Sequence, residues 1–381
     1  ILYRIFRWFR PIRLILLKNK ILKAYSETDM VLDEAGISFV DSRGFIMNTY
    51  AFICAAVPLL MDVPVVKYSQ AMGPFQSFIN RFLAKWILPK MSLICARGAI
   101  TRENLKSIGI DTVICIRSGY RKFITYPSPY LLKKGCYMPS VDLIDMFLRL
   151  ARKYGMKFWF GLYDSGRYWD TGDLSYEIED NKFVIDEVWE RYGRKYDSFG
   201  GWYISGEISR RTKGAIDAFH AMGKQCKDVS GGLPTFISPW IDGKKAVMGT
   251  ALKTREDAVS VQEHEREWNE IFDGIHDVVD ACAFQDGHID YDELDAFFSV
   301  NKKLADKYGM QCWTNDETFD RDMPIKFLPI KFDKLRMKLE AAARCGYDKA
   351  ITFEFSHFMS PQSAYLQAGH LYDRYKEYFE I

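Results

Sequence analysis

The sequence predicts an α/β protein: a (β/α)8 TIM barrel preceded by a partial Rossmann-like α/β region. Short apolar runs of strand length alternate with longer amphipathic stretches from Ser107 to the C-terminus, as parallel strands and their covering helices require. A shorter alternation of the same kind fills the N-terminal part, and 381 residues accommodate a barrel of about 250 residues beside a smaller unit. The expected division is 1–90 for the Rossmann-like region and 91–381 for the barrel.

In chain order, Ile1 to Tyr25 mixes Arg and Lys with large apolar residues at helical spacing and breaks at Pro11. It reads as a pair of helices with their basic faces in water, in preference to a stretch lying on a membrane. Asp29–Asp33, Val63–Ser69 and Ser92–Arg97 read as strands, with helices at Tyr50–Leu60 and Phe78–Leu88 between them, which is the Rossmann-like pattern. Gly36 and the Gly73-Pro74 turn mark strand ends that would line a cleft. Later strands are expected at Asp111–Arg117, Met156–Leu162, the stretch Phe199–Glu207 (FGGWYISGE), Pro234–Ser238, Val278–Phe284, Gln311–Thr314 and Lys349–Phe355. Helices are expected between them at Val141–Tyr154, Lys182–Tyr192, Thr212–Met222, Arg255–Ile275, Tyr291–Tyr308 and Phe332–Cys345, and then at Pro361–Tyr378. A closed barrel needs one more strand, and Ser92–Arg97 is the nearest candidate, with Ala99–Ser107 as its helix.

Composition narrows the function. A formal net charge of +2 offers no bulk field to hold nucleic acid or an anionic membrane, so neither is expected as a partner. No run reaches the roughly 18 apolar residues of a spanning helix. Eight cysteines without a CxxC pair read as small buried hydrophobes in a reducing, cytoplasmic compartment, with neither a zinc site nor a disulfide framework. Aromatic residues reach 15%, including 9 Trp and 22 Tyr, which suits either sugar-binding platforms or core packing. No cofactor is expected. The run Asp286 to Glu293 lacks the ligand spacing of a calcium loop, so no metal is assigned to it.

Particular segments carry two resemblances. DMVLDEAGISFVDSRG, PVVKYSQAMGPF and ICARGAITRENLKSIGI resemble, in order, the N-terminal half of polysaccharide pyruvyl transferases. That resemblance implies the first of two Rossmann-like domains, whereas the donor-binding second domain has no counterpart in the rest of the chain. IGIDTVICIRSGY, GMKFWFGLYDSGRYW, VIDEVWERYG, FGGWYISGEIS, SGGLPTFISPWIDG, CAFQDG, WTNDETF and ITFEFSHFMSP resemble a mostly bacterial, DUF4434-like group of barrels similar to glycoside hydrolases. The two meet at LKSIGI, so the chain reads as a fusion.

In a β/α barrel the active site lies at the C-terminal ends of the strands. Those ends carry Tyr163 and Asp164, then Glu207, Trp240 with Asp242, Gln285 with Asp286, Asn315-Asp316-Glu317, and Glu354 with His357. Acids and aromatics of this kind suit an oligo- or polysaccharide, because glycoside hydrolysis needs one carboxyl group to protonate the leaving oxygen and a second to attack or activate water. Retaining barrel glycosidases similar to this chain place these groups at strands four and seven. The resemblance therefore implies Glu207 as general acid/base and Glu317 as nucleophile. Tyr163, Asp164, Trp169, Trp240, Gln285, Asp286, Asp316, Glu354 and His357 are the expected substrate-binding residues, with Trp313 either a further platform or core. Three readings stay open: a glycosidase, a transferase related to pyruvyl transfer, and a catalytically silent carbohydrate-binding barrel. The sequence assigns no oligomeric state.

Overall fold

The computed structural model describes residues 18–28, 31–33, 44–61, 63, 65–70, 77–87, 93–96, 109–138, 141–245, 257–321 and 327–381. The chain divides into two compact units, Ile1–Glu103 and Asn104–Ile381. The break at Pro11, Gly36, the Gly73-Pro74 turn and the Ala99–Ser107 helix lie outside the described residues.

The N-terminal unit contains three parallel strands, β1 (Val31–Asp33), β2 (Val65–Gln70) and β3 (Leu93–Ala96), arranged side by side in that order. Helices Gly44–Leu60 and Phe78–Ile87 form the crossovers, and Ala55, Ala56 and Ile87 are buried with Phe52, Leu59 and Leu83 packed against them. The strand expected to open the barrel is thus the third strand of this small sheet, with Leu93 opposite Val66 and Ile94 opposite Lys67. A short apolar run satisfies either sheet, and its crossover helix returns it beside the strand that precedes it.

The second unit is wound as a parallel sheet of seven strands, each beside its predecessor: β4 (Thr112–Ile114), β5 (Lys157–Gly161), β6 (Phe199–Tyr203), β7 (Thr235–Ile237), β8 (Ala281–Gln285), β9 (Gln311–Glu317) and β10 (Lys349–Phe353). Helices Leu143–Tyr154, Tyr176–Val188, Ala215–Ser230, Val261–Asp273, Leu294–Lys307 and Phe332–Arg344 connect them, and Leu366–Phe379 follows β10. Local sequence sets their ends. Asp142 caps the first of these helices by accepting from the Asp145 N–H, and Gly155 ends it at φ +66°. Ser260 likewise accepts from the Glu263 N–H, so that helix begins later than periodicity alone suggests.

Burial shows where the sheet stops. The five inner strands are almost wholly buried, whereas β4 is half-buried and β10 begins with two exposed residues. Among the described residues neither edge strand pairs on its outer side. The inner face is filled by Trp159, Tyr203, Phe236 and Trp313 around the small Ala281 and Ala283. Trp159 meets Trp313 edge-on at 5.4 Å, and Tyr203 stacks on Phe236 at 4.3 Å. Trp313 is therefore core and no platform. It sits inside β9, where alternation aims it at the packed interior.

Candidate active site

The strand ends gather charge in two linked groups. The first is centred on Arg117, just beyond β4. Its Nη1 donates to Asp164 Oδ2 at 2.7 Å and its Nη2 to Glu207 Oε1 at 3.0 Å. Asp164 Oδ2 also accepts from the Trp169 indole at 3.1 Å, and Oδ1 accepts from the Gly166 N–H at 2.8 Å. Trp169 lies nearly parallel to Trp240, with centroids 6.1 Å apart, and the Trp240 indole donates to Asp242 at 3.1 Å. One aspartate thus ties an aromatic surface to the arginine that holds Glu207.

Glu207 keeps about a fifth of its side chain exposed at this mouth, with a 22% relative area. Burial pushes its carboxyl above the ordinary range; Arg117 opposes the shift and Asp164 adds to it. Its backbone N–H donates to the buried Tyr168 hydroxyl at 3.2 Å. Arg210 and Arg211, its neighbours in sequence, turn instead to Asp242 and Glu267. Replacing Arg117 removes the cation that favours the Glu207 anion. Arg117→Met is expected to move the Glu207 titration to higher pH, checked by carboxyl titration with NMR or infrared spectroscopy on the folded protein.

The second group surrounds Glu317, the last residue of β9. Its carboxylate is buried and clasped through both oxygens by Arg321, whose Nε donates at 2.7 Å and whose Nη2 completes the fork. Burial raises Glu317 above the ordinary carboxylate range, with Arg321 and Lys338 pulling against it. The carboxylate lies directly over Gly287, where an added Cβ would come within 1.9 Å of Oε2, so any side chain at 287 would displace the Glu317 carboxylate from its place. Beneath it, Lys338 Nζ donates to Asp286 Oδ1 at 3.0 Å and to the Glu317 carbonyl at 2.8 Å. Asp286 Oδ1 also accepts the Glu317 N–H at 3.1 Å.

Asp316 faces the same cluster, fully buried, with Oδ1 accepting from the Thr314 hydroxyl at 2.9 Å. Among the described residues Asp286 Oδ2 and Asp316 Oδ2 find no N–H or O–H donor, and burial together with the Asp286 charge raises Asp316 far above its ordinary value. The two groups are linked through Arg321, whose charged form is favoured by Glu317, Asp286 and Glu207 together, against the cost of burial.

Comparison with known proteins bears on this arrangement. The family described as "Domain of unknown function (DUF4434)" matches residues 100–365. The chain belongs to the DUF4434 family. The family "Polysaccharide pyruvyl transferase" matches residues 2–134, as the N-terminal motifs imply. A crystal structure from Bacteroides thetaiotaomicron, provisionally described as an alpha-L-fucosidase, is 86% identical, with a TM-score of 0.71 over 73% of this chain and 85% of its own. An endo-1,4-beta-D-mannanase from Thermotoga petrophila is 12% identical over 73% of this chain and 94% of its own, with a TM-score of 0.47, too slight a likeness to carry inference. No curated protein matches. The barrel unit is glycoside-hydrolase-like in fold.

Other expected site residues of the DUF4434 barrel are engaged elsewhere. The Tyr163 hydroxyl donates to the Arg121 carbonyl, and its own N–H donates to Asn181 at 2.9 Å. The Gln285 amide donates to the Ser238 carbonyl at 2.9 Å. Glu354 caps the short helix Phe355–Phe358, with Oε2 accepting from Ser356 and Oε1 from the His357 N–H and imidazole. His357 turns its ring back onto that carboxylate. The Asp286–Glu293 run ends in a 3-10 turn, Tyr291–Glu293, leading into the next helix, and Glu293 pairs with Lys244 at 2.6 Å.

Arg117, Arg321 and Lys338 are the charged members that strand-end reasoning passes over. Arg117 ends the strand expected at Asp111–Arg117 and lies three residues beyond β4, so the same inventory of strand ends reaches it. Lys338 is a cation within the buried stripe Leu335, Ala341, Ala342 of its helix, a placement that periodicity reveals.

Proposed function

We propose that the barrel unit is a glycoside hydrolase using two carboxyl groups with retention, Glu207 as general acid/base and Glu317 as nucleophile. The observation that carries this reading is that two glutamates stand at the C-terminal ends of β6 and β9 of one parallel sheet, each held by a guanidinium, Glu207 by Arg117 at 3.0 Å and Glu317 by Arg321 at 2.7 Å. The environments also differ in the useful sense. Burial raises both carboxyls and a guanidinium holds each, but Glu207 is partly open, as a proton donor to a leaving group must be, whereas Glu317 is buried with both oxygens clasped by Arg321, the stronger of the two pulls toward an anion. Asp164, Trp169 and Trp240 offer a polar and aromatic wall for a sugar ring. The provisional description of the Bacteroides relative makes α-L-fucosides the first substrates to test. We read the N-terminal unit as a partial Rossmann-like region of pyruvyl-transferase type, and the barrel as a (β/α)8 wind of which seven strands are described.

A second reading, a catalytically silent carbohydrate-binding barrel, is favoured by the engagement of both Glu317 oxygens with Arg321. Retention needs carboxyl groups about 5–5.5 Å apart and a free nucleophilic oxygen. Incubation with an activated 2-deoxy-2-fluoro fucoside, followed by peptide mapping, is expected to place the label on Glu317. Turnover with the label elsewhere would remove Glu317 from the nucleophile's role. Fucoside binding without turnover or label would establish the silent reading.

A further inference from the structure

Two helices of the N-terminal unit present apolar faces to solvent. Gly44–Leu60 carries no charged side chain along its 17 residues. Ala55 and Ala56 lie on its buried side, and Ile46, Tyr50 and Ile53 form a stripe on the other, 79%, 63% and 51% exposed. Their spacing of i, i+4, i+7 puts them on one face. Phe78–Ile87 buries Ile87 and exposes Phe78, Phe82 and Trp86, at i, i+4, i+8, by 82%, 62% and 45%. Phe52 lies 5.6 Å from Trp86, so the helices pack together as one layer. A helix apolar all round belongs within a larger body or against lipid.

Charge selects between these. Residues 1–103 contain 14 Lys and Arg against 7 Asp and Glu, and the first acid is Glu27, after seven cations. The rest of the chain is net acidic, so the near-neutral total conceals a strongly basic N-terminal unit. Arg81 and Lys85 flank the second stripe and are exposed. A second copy brought to this face would set like charge against like. Phosphate groups beside hydrocarbon suit it, because aliphatic Ile46 and Ile53 gain from an acyl boundary and nothing from a nucleic-acid backbone.

We propose that this helical layer docks on an anionic lipid surface, with Ile46, Tyr50, Ile53, Phe78, Phe82 and Trp86 entering the headgroup boundary. This departs from the expectation that overall charge supports no membrane partner. Among the described residues no helix is long and apolar enough to cross a membrane, so the contact is interfacial.

The test is flotation of the full chain with vesicles of phosphatidylcholine alone or with about one third phosphatidylglycerol. Binding is expected to the anionic vesicles, falling at least about tenfold at roughly 0.5 M salt. The paired variant Ile46→Glu with Phe82→Glu, and separately Lys85→Glu, are each expected to lower the bound fraction about tenfold or more, with circular dichroism and elution volume unchanged. Absence of flotation with anionic vesicles, or equal binding to neutral ones, overturns the proposal. So does a dimer that the paired variant converts to monomer, which would assign the face to a second copy.

Discussion

Lys338→Met is expected to destabilise the barrel by about 3–5 kcal/mol, because removing one partner leaves buried carboxylates uncompensated. Lys338 has 5% of its side chain exposed and Asp286 none, and the ammonium is the donor shared by Asp286 and the Glu317 carbonyl. Burial works to lower its titration, but Asp286, Tyr291, Glu317 and Asp316 outweigh it, and the net shift is upward from 10.5. A raised folded value means that the stability it lends is fully present below the ordinary value and is lost only as pH rises through the folded one. The urea midpoint followed by Trp fluorescence measures this, since seven of the nine Trp lie in residues 104–381. A Lys338→Met midpoint equal to that of wild type at pH 7 would show that the cluster is hydrated. Asp316→Asn is the contrast. Burial raises the Asp316 carboxyl, so a neutral amide in its place is expected to cost far less than Lys338→Met and to remove the stability that wild type loses as pH climbs through the raised Asp316 value.

The same cluster shows what the sequence makes legible. Strand and helix alternation from Asp111 onward follows from apolar runs and amphipathic stripes, because each parallel strand is buried on both faces while each helix is buried on one. Leu93–Ala96 pairs with β2 and not within the barrel, and its sequence is silent on the choice, because four apolar residues specify a strand and say nothing of its neighbour. Side-chain roles divide similarly. Glu207 and Glu317 are visible as strand-end acids, but their partners come from other strand ends and a later turn, Arg117 and Arg321. Glu354 shares the strand-end signature and caps a helix, which the Ser356 and His357 donors immediately downstream foreshadow. Trp313 and Trp240 are alike in sequence. Only strand alternation sends one inward.

Glu207→Gln is expected to cost between about 10² and 10⁴ in turnover of a fucoside with a poor leaving group, the usual contribution of a positioned acid. Gln keeps the shape and the contact with Arg117 but has no proton to give. A dinitrophenyl fucoside needs no protonation to depart, so its glycosylation step is expected to fall much less. That contrast separates a proton donor from a residue that merely supports the fold, which would slow both substrates alike. The pH profile adds a second readout. Burial raises Glu207, so its protonated form persists above the ordinary carboxylate range, and activity on the poor substrate is lost as pH rises through that folded value. Glu207→Gln removes this limb. Arg117→Met moves it to higher pH, because the arginine is the main opponent of burial. If Glu207→Gln leaves the limb in place while Arg117→Met still moves it, the proton is carried by Asp164, which the same guanidinium holds at 2.7 Å; a limb unmoved in both variants places the proton on a group outside this pair.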